Sequence, residues 1–260
     1  VSPDILRSAF VAPGVGDFWQ PLIGHGDFAL TRPMVAIAFS ALFLIVSTEL
    51  VTRRMTLVPS KGQAALEYVY SSVRNGMARD IIGTNEFRPF LPLLFSLFTI
   101  ILLNNFFGEI PIIQYPTMSR IGVPIALTLV SFIVYNVVGF RRKGFRGYLA
   151  SLVAPGLPKP LRPVIFVLEF ITNFITRPIT LALRLFGNMF ASHLLLLLFS
   201  LAGEYFLFHG ANIGLRLVAV PSYVMYAILT PFEMLIDFLQ AYIFTLLTAF
   251  YIAGSIADEH

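Results

Sequence analysis

Long apolar runs separated by short polar ones set the outline of this chain. Residues 1–32 mix polar, glycine and proline positions without a period and read as an outer N-terminal segment. Pro33 opens the first apolar run, Met34 to about Val51, just long enough to cross a bilayer as a helix, and Arg53 and Arg54 close it. The stretch from Lys61 to about Ile82 follows a different rule. Leu66, Val69, Val73 and Met77 make one stripe at helical spacing, while Glu67, Ser71, Arg74 and Asp80 fill the other side. Such a helix lies along the membrane surface, and Gly83 ends it. The next crossing runs from about Pro89 to Phe107 and ends in Asn104-Asn105-Phe-Phe-Gly-Glu109, polar residues that are either interface groups or the lining of an aqueous vestibule. A loop with Arg120 leads to a crossing from Ile121 to Phe140, followed by the basic run Arg141–Arg146 and a Pro/Gly-rich connection to Pro163.

The last two runs are too long for ordinary crossings. Val164 to about Leu201 holds no turn signal, and its ~38 residues would reach about 57 Å against ~30 Å of hydrocarbon. Dividing it at Pro178 leaves a first piece too short to span, so the helix must be strongly oblique. Gly214 to about Ile256 is similarly long, with Pro221 and Pro231 as kink positions. His209-Gly-Ala-Asn-Ile-Gly214 is the turn between them. The expected fold is therefore an all-α polytopic membrane protein, one domain over residues 33–260. It has five membrane-embedded helices and one interfacial amphipathic helix at about 61–82, and its last two helices form a long, strongly tilted hairpin at about 163–256.

Composition supports this outline and removes other readings. The chain is 57% hydrophobic and 12% charged, far from a soluble domain. Its net charge of +4 comes from basic residues between apolar segments, a topology pattern rather than a nucleic-acid stripe. Without cysteines there are no disulfides, thiolate metal sites or cysteine nucleophiles. Arg53, Arg54, Lys61, Arg74, Arg79 and Arg88 share one connection; Arg141, Arg142, Lys143, Arg146, Lys159 and Arg162 share another. These twelve of the 18 Lys and Arg place both connections on the cytoplasmic side. The N-terminus then faces outside and, after five crossings, the C-terminus faces the cytoplasm.

Arg184 stands in the middle of the 164–201 run with no acidic neighbour in sequence. An arginine at bilayer depth costs at least ~2.5–3.5 kcal/mol and keeps its charge, so it has either a functional role or a buried carboxylate partner elsewhere in the chain. At about 100° per residue, Arg177, Arg184, Thr180, Asn188 and Asn173 share a face, and His193 points the opposite way. Folding the hairpin about residues 211–213 sets His193 opposite residues 230–233, which include Glu233, and Arg184 opposite 239–242, which include Gln240. Thr230, Glu233, Asp237 and Gln240 form one stripe. His193 and Glu233 lie on the outer side of Arg184; Glu169, Thr172, Asn173 and Thr176 lie on its inner side. Histidine and carboxylates can pass protons near neutral pH, and a permanent cation between two such patches stops a bare proton from running straight through.

Residues 183–193, Leu-Arg-Leu-Phe-Gly-Asn-Met-Phe-Ala-Ser-His, and 239–248, Leu-Gln-Ala-Tyr-Ile-Phe-Thr-Leu-Leu-Thr, closely resemble the a subunit of the membrane sector of F-type ATP synthases. The resemblance covers most of the chain and is weakest before residue 33. It implies a stator with two offset half-channels facing a rotating ring of c subunits, each with one essential carboxyl group. Proton flow would drive ATP synthesis, and ATP hydrolysis would drive pumping in reverse. It further implies a non-catalytic subunit with no cofactor and no metal, partnered by the c-ring, b-type peripheral stalk subunits, the rest of the complex and membrane lipids. By the family pattern Arg184 is the essential arginine, Asn188 and Gln240 its polar neighbours, and His193 with Glu233 the outer relay. Asp237 shares the Glu233 stripe, while Glu169 and Asn173 stand toward the inner channel. Many bacterial relatives carry the acid and histidine of that relay in exchanged positions, so this chain departs from them in residue identity. The loops look more actinobacterial than mitochondrial, which points to a bacterial plasma membrane, with the mitochondrial inner membrane as the alternative. A secondary transporter would show paired internal repeats, and none is found. An intramembrane hydrolase lacks its motifs here: neither His-Glu-x-x-His nor Gly-x-Ser-x-Gly occurs, and the adjacent Ser192 and His193 point apart. A purely structural scaffold leaves Arg184, His193 and Glu233 without a role.

Overall fold

The computed structural model describes residues 21–23, 30–53, 55–109, 117–153, 158, 160–209 and 212–257. The N-terminal segment falls mostly outside these residues. Its one described feature is a short antiparallel pair, β1 (Pro21–Ile23) with β2 (Leu30–Thr31), a strand element that the helical pattern does not predict.

Among the described residues nine α-helices follow. They are α1 (Arg32–Arg53), α2 (Lys61–Val73), α3 (Asp80–Ile82), α4 (Leu91–Glu109) and α5 (Gly122–Ala150), then α6 (Arg162–Ile171), α7 (Arg177–His209), α8 (Ile213–Leu217) and α9 (Ala219–Ile256). Wider π turns join α2 to α3 (Arg74–Arg79) and α6 to α7 (Thr172–Thr176), so each pair is one helical rod with a local bulge. Among the described residues five rods are long and apolar enough to cross a membrane: α1, α4, α5, the 48-residue Arg162–His209 rod and α9.

The surface helix starts as its sequence requires. Ser60 caps it, its hydroxyl accepting from the Gln63 amide, and Gly83 ends it at φ 100°, which a side chain would resist. Val73 and Met77 are fully buried, while Glu67, Ser71, Arg74 and Asp80 stay exposed, as the stripe predicts.

Three elements differ from expectation. The basic run after Phe140 continues α5 to Ala150 rather than forming a loop, and the helix kinks at Gly144, whose φ of 70° suits glycine. The oblique rod extends eight residues past Leu201 to His209, because no breaker interrupts it. The second hairpin arm breaks at Val218 and restarts as α9. Pro221 thereby falls in the first turn, where its missing N–H has no helical partner to lose, and Pro231 sits inside a continuous helix.

The packed centre joins three rods. Leu181, Leu185 and Met189 of α7 meet Ala241, Phe244 and Ala249 of α9 and Leu94, Phe98 and Ile101 of α4. In lipid such contacts hold by close packing rather than by exclusion of water. Polar ties add to them: Thr248 Oγ1 donates to Ser131 Oγ at 3.2 Å, joining α9 to α5. Asn104, for which the sequence leaves an interface or a vestibule role open, serves instead as a structural tie. Its Nδ2 donates to Ser40 Oγ of α1 at 2.8 Å, and its Oδ1 accepts from Thr117. α1 itself is otherwise mostly exposed.

Candidate functional site

The buried face of α7 runs Leu181, Leu185, Met189, His193, Leu196, at steps of three and four. His193 thus lies in line with the core residues, and Arg184 falls off that face and is exposed, next to exposed Leu183 and Ile179. The opposition of His193 and Arg184 is the one their spacing predicts. Arg184 makes no hydrogen bond or ion pair with any described residue, so no described carboxylate partners it.

On α9 the buried face carries Glu233, Asp237 and Gln240 and continues through Phe244 and Thr248. Thr230 is half-buried at its upper end. The hairpin register is fixed by a close approach. A Cβ on Gly203 would lie 3.1 Å from the Tyr223 ring, so these two residues face each other. Ten residues back from Gly203 is His193, and ten on from Tyr223 is Glu233, which places the two at one level of an antiparallel pair. By the same step Arg184 lies level with the turn of α9 that holds Gln240.

α4 closes this cluster from the third side. The His193 ring rests against the backbone of Gly108: a Cβ there would be 2.2 Å from Nε2 and 2.6 Å from Cε1. One turn earlier, Asn105 Nδ2 donates to the Asp237 carbonyl at 3.2 Å. A single turn of α4 therefore touches both hairpin arms. His193, Glu233 and Asp237 are each buried and each engaged within the chain. Asn105 Oδ1, Asn188 Nδ2 and Gln240 Nε2 are buried and lack hydrogen-bond partners among the described residues. Each such atom costs about 1–3 kcal/mol unless water or a partner group meets it, so the arrangement suits a hydrated path more than a dry core.

A second polar cluster surrounds the π turn. Asn173 is buried; its Nδ2 donates to Tyr148 Oη at 3.0 Å, its Oδ1 accepts from Arg177 Nη1 at 2.6 Å, and its carbonyl accepts from Tyr135 Oη at 2.9 Å. Tyr148 Oη also donates to Asn136 Oδ1 at 3.2 Å, and the Arg177 guanidinium lies 5.0 Å from the centre of the Tyr251 ring. Glu169 is half-buried one turn before the bulge. The shared face expected for the two arginines is divided. Arg177 is drawn inward by Asn173 and Tyr251, while Arg184 and Thr180 stay outside.

The sequence pattern does not mark Gly108, Tyr135, Asn136, Tyr148 or Tyr251 as members of these clusters, whereas it does set Arg177 on one face with Asn173. Tyr148 reaches its place only because α5 kinks at Gly144 and folds the tyrosine onto Gly139, where a Cβ would lie 2.3 Å from the ring. A glycine in a basic run was the one available sign. The two clusters are about 20 residues apart along the rod, roughly 30 Å, with Arg184 between them. No group of three or more His, Cys, Asp or Glu able to hold a metal occurs among the described residues.

The family profile described as ATP synthase A chain matches residues 33–253. The chain is 44% identical over 272 residues to the ATP synthase subunit a of a Nocardioides species, covering 98% of each chain. It is 39% identical over 260 residues to that of Rhodococcus erythropolis, covering 98% of this chain and 94% of the relative. With that of Pseudarthrobacter chlorophenolicus it shares 38% over 260 residues, covering 96% and 95%.

Proposed function

We propose that this chain, which belongs to the ATP synthase A chain family, is the proton-translocating subunit a of a bacterial ATP synthase and works through Arg184. It is a multi-pass membrane protein and a component of that complex. The observation that carries the mechanism is the isolation of Arg184: exposed on an apolar helix face, without a partner among the described residues, and set between two buried polar clusters.

On this reading the exposed face of α7 and α9 meets a rotating ring of c subunits. The outer half-channel uses His193, Glu233 and Asp237, with Asn105 lining it. A proton arriving there neutralises a ring carboxylate, which can then turn into lipid. A carboxyl approaching from the other side meets Arg184, which favours its ionised form, and its proton leaves past Asn173 and Glu169. Asn188 and Gln240 steer the guanidinium. At ~4 Å and an effective dielectric near 20 an Arg–carboxylate pair is worth roughly 4 kcal/mol before desolvation. A membrane field supplies ~2.3 kcal/mol per charge per 100 mV, so the pair holds a carboxylate ionised and still lets it go.

Such a subunit performs no bond chemistry of its own and is held against the ring by b-type stalk subunits. The two basic connections, on both sides of α4 and α5, orient the C-terminus to the cytoplasm. The two long hairpin rods then lie obliquely, since 48 residues of helix span about 70 Å against ~30 Å of hydrocarbon.

Arg184→Ala in the whole complex tests this. ATP-driven proton pumping in inverted vesicles should vanish while ATP hydrolysis by the detached catalytic sector persists. Pumping at the parent rate in assembled complex would refute the assignment.

A further inference from the structure

Away from both clusters, a cavity of about 790 Å³ lies where the surface helix meets the end of α1 and the start of α4. Buried Phe87 and Leu91 line it from within, with Leu66 and Phe95 beside them. Exposed Arg74 and Arg88 line it from outside, and neither makes a hydrogen bond or ion pair with any described residue. Its one acid, Glu67, has Oε1 taken by Gln63 Nε2 at 2.7 Å. Two free guanidinium groups over an apolar floor thus face one engaged carboxylate, a net lining charge of +1.

That combination selects the ligand. An apolar floor of this size holds a hydrocarbon chain, since ligand pockets run from roughly 300 to 1,000 Å³. Two unpaired arginines match a phosphate, which accepts their forked donors. The cavity also opens where α1 ends with little cover: Met55, part of its wall, is exposed. We propose that this cavity is a binding site for one anionic phospholipid. Its phosphate lies between Arg74 and Arg88, and one acyl chain lies over Leu66, Leu91 and Phe95. The lipid fills the gap between α1, which the protein barely buries, and the rest of the bundle. The two unpaired arginines in its lining disfavour an apolar transmembrane helix of another subunit as the occupant.

The test uses the whole complex, stripped in detergent and titrated with phosphatidylglycerol or phosphatidylcholine, with retained lipid counted by native mass spectrometry. Phosphatidylglycerol should be retained and phosphatidylcholine should not, and inorganic phosphate should fail to displace the lipid. Removing one arginine should weaken retention roughly fivefold, and R74A/R88A about 30-fold. R74K/R88K keeps the charge but loses the forked donors, and should retain lipid less well than the parent and better than R74A/R88A, which separates loss of charge from loss of fold. Arg79→Ala, exposed on the same rod but outside the cavity, should change nothing. Equal retention of both lipids, an unaltered double-alanine variant, or displacement by phosphate alone would overturn the proposal. So would a cysteine placed at Thr52, in this cysteine-free chain, that cross-links to another subunit's membrane helix in the native complex.

Discussion

Gly108→Ala puts one methyl group where the structure has no room for it. The new Cβ would sit 2.2 Å from His193 Nε2, and ordinary contact begins near 3.4 Å, so the ring must retreat by about 1.2 Å. Met189 Cε, 3.3 Å from the same point, limits the direction of retreat, and His193 is only 6% exposed. Overpacking of this kind costs about 1–3 kcal/mol. A relay group displaced by ~1 Å can lose about 100-fold in rate. Assembled complex carrying Gly108→Ala should therefore pump protons tens of times more slowly and unfold at a lower temperature. The decisive measurement is a double-mutant cycle in the unfolding midpoint. With His193→Ala already in place the methyl has space, and the penalty of Gly108→Ala should largely disappear. If Gly108→Ala pumps within twofold of the parent, or lowers the midpoint equally in both backgrounds, the seating of His193 on Gly108 has no consequence and the reasoning fails.

Tyr148→Phe removes the hydroxyl that joins Asn136 to Asn173 and should cost about 1–2 kcal/mol, read as a fall in the unfolding midpoint. Gly139→Ala should cost more, through a Cβ 2.3 Å from the Tyr148 ring, and Tyr148→Ala should relieve it. Arg177→Lys keeps the charge but loses the planar fork held by Asn173 and Tyr251. Pumping should slow without stopping, in contrast to Arg184→Ala, and equal loss in the two variants would remove the distinction between them. Glu86→Gln breaks a partly exposed pair with Arg142 and should change stability by at most about 1 kcal/mol.

The membrane rods, the surface stripe and the hairpin register were readable from sequence because each rests on a strong period or a long uninterrupted run. The 193–233 pairing needed only a turn and equal rise on both arms, and the Gly203–Tyr223 contact has the same register. Helix ends were less readable. Nothing in the Arg141–Arg146 run distinguishes a basic loop from a basic helix, since arginine and lysine favour helices as much as they favour the interface. The second cluster was hidden for a different reason. Tyr148, Asn173 and Tyr251 come from three separate rods, and only the Gly144 kink and the π turn at Thr172–Thr176 bring them together. The π turn has no sequence sign that period counting detects. Arg177 shows the same limit: its wheel position matches that of Arg184, and its partners, not its spacing, turn it inward.

An outward-turned guanidinium also has a consequence for biogenesis. A newly inserted copy of this chain, alone among lipids, exposes a charge that hydrocarbon cannot solvate. The lone subunit should tip, thin the bilayer around that residue, or be degraded, and docking of the proposed ring against Arg184 would relieve all three. On the function proposed above, the charge that would serve transport would also make solitary survival unfavourable and tie the lifetime of the chain to completed assembly.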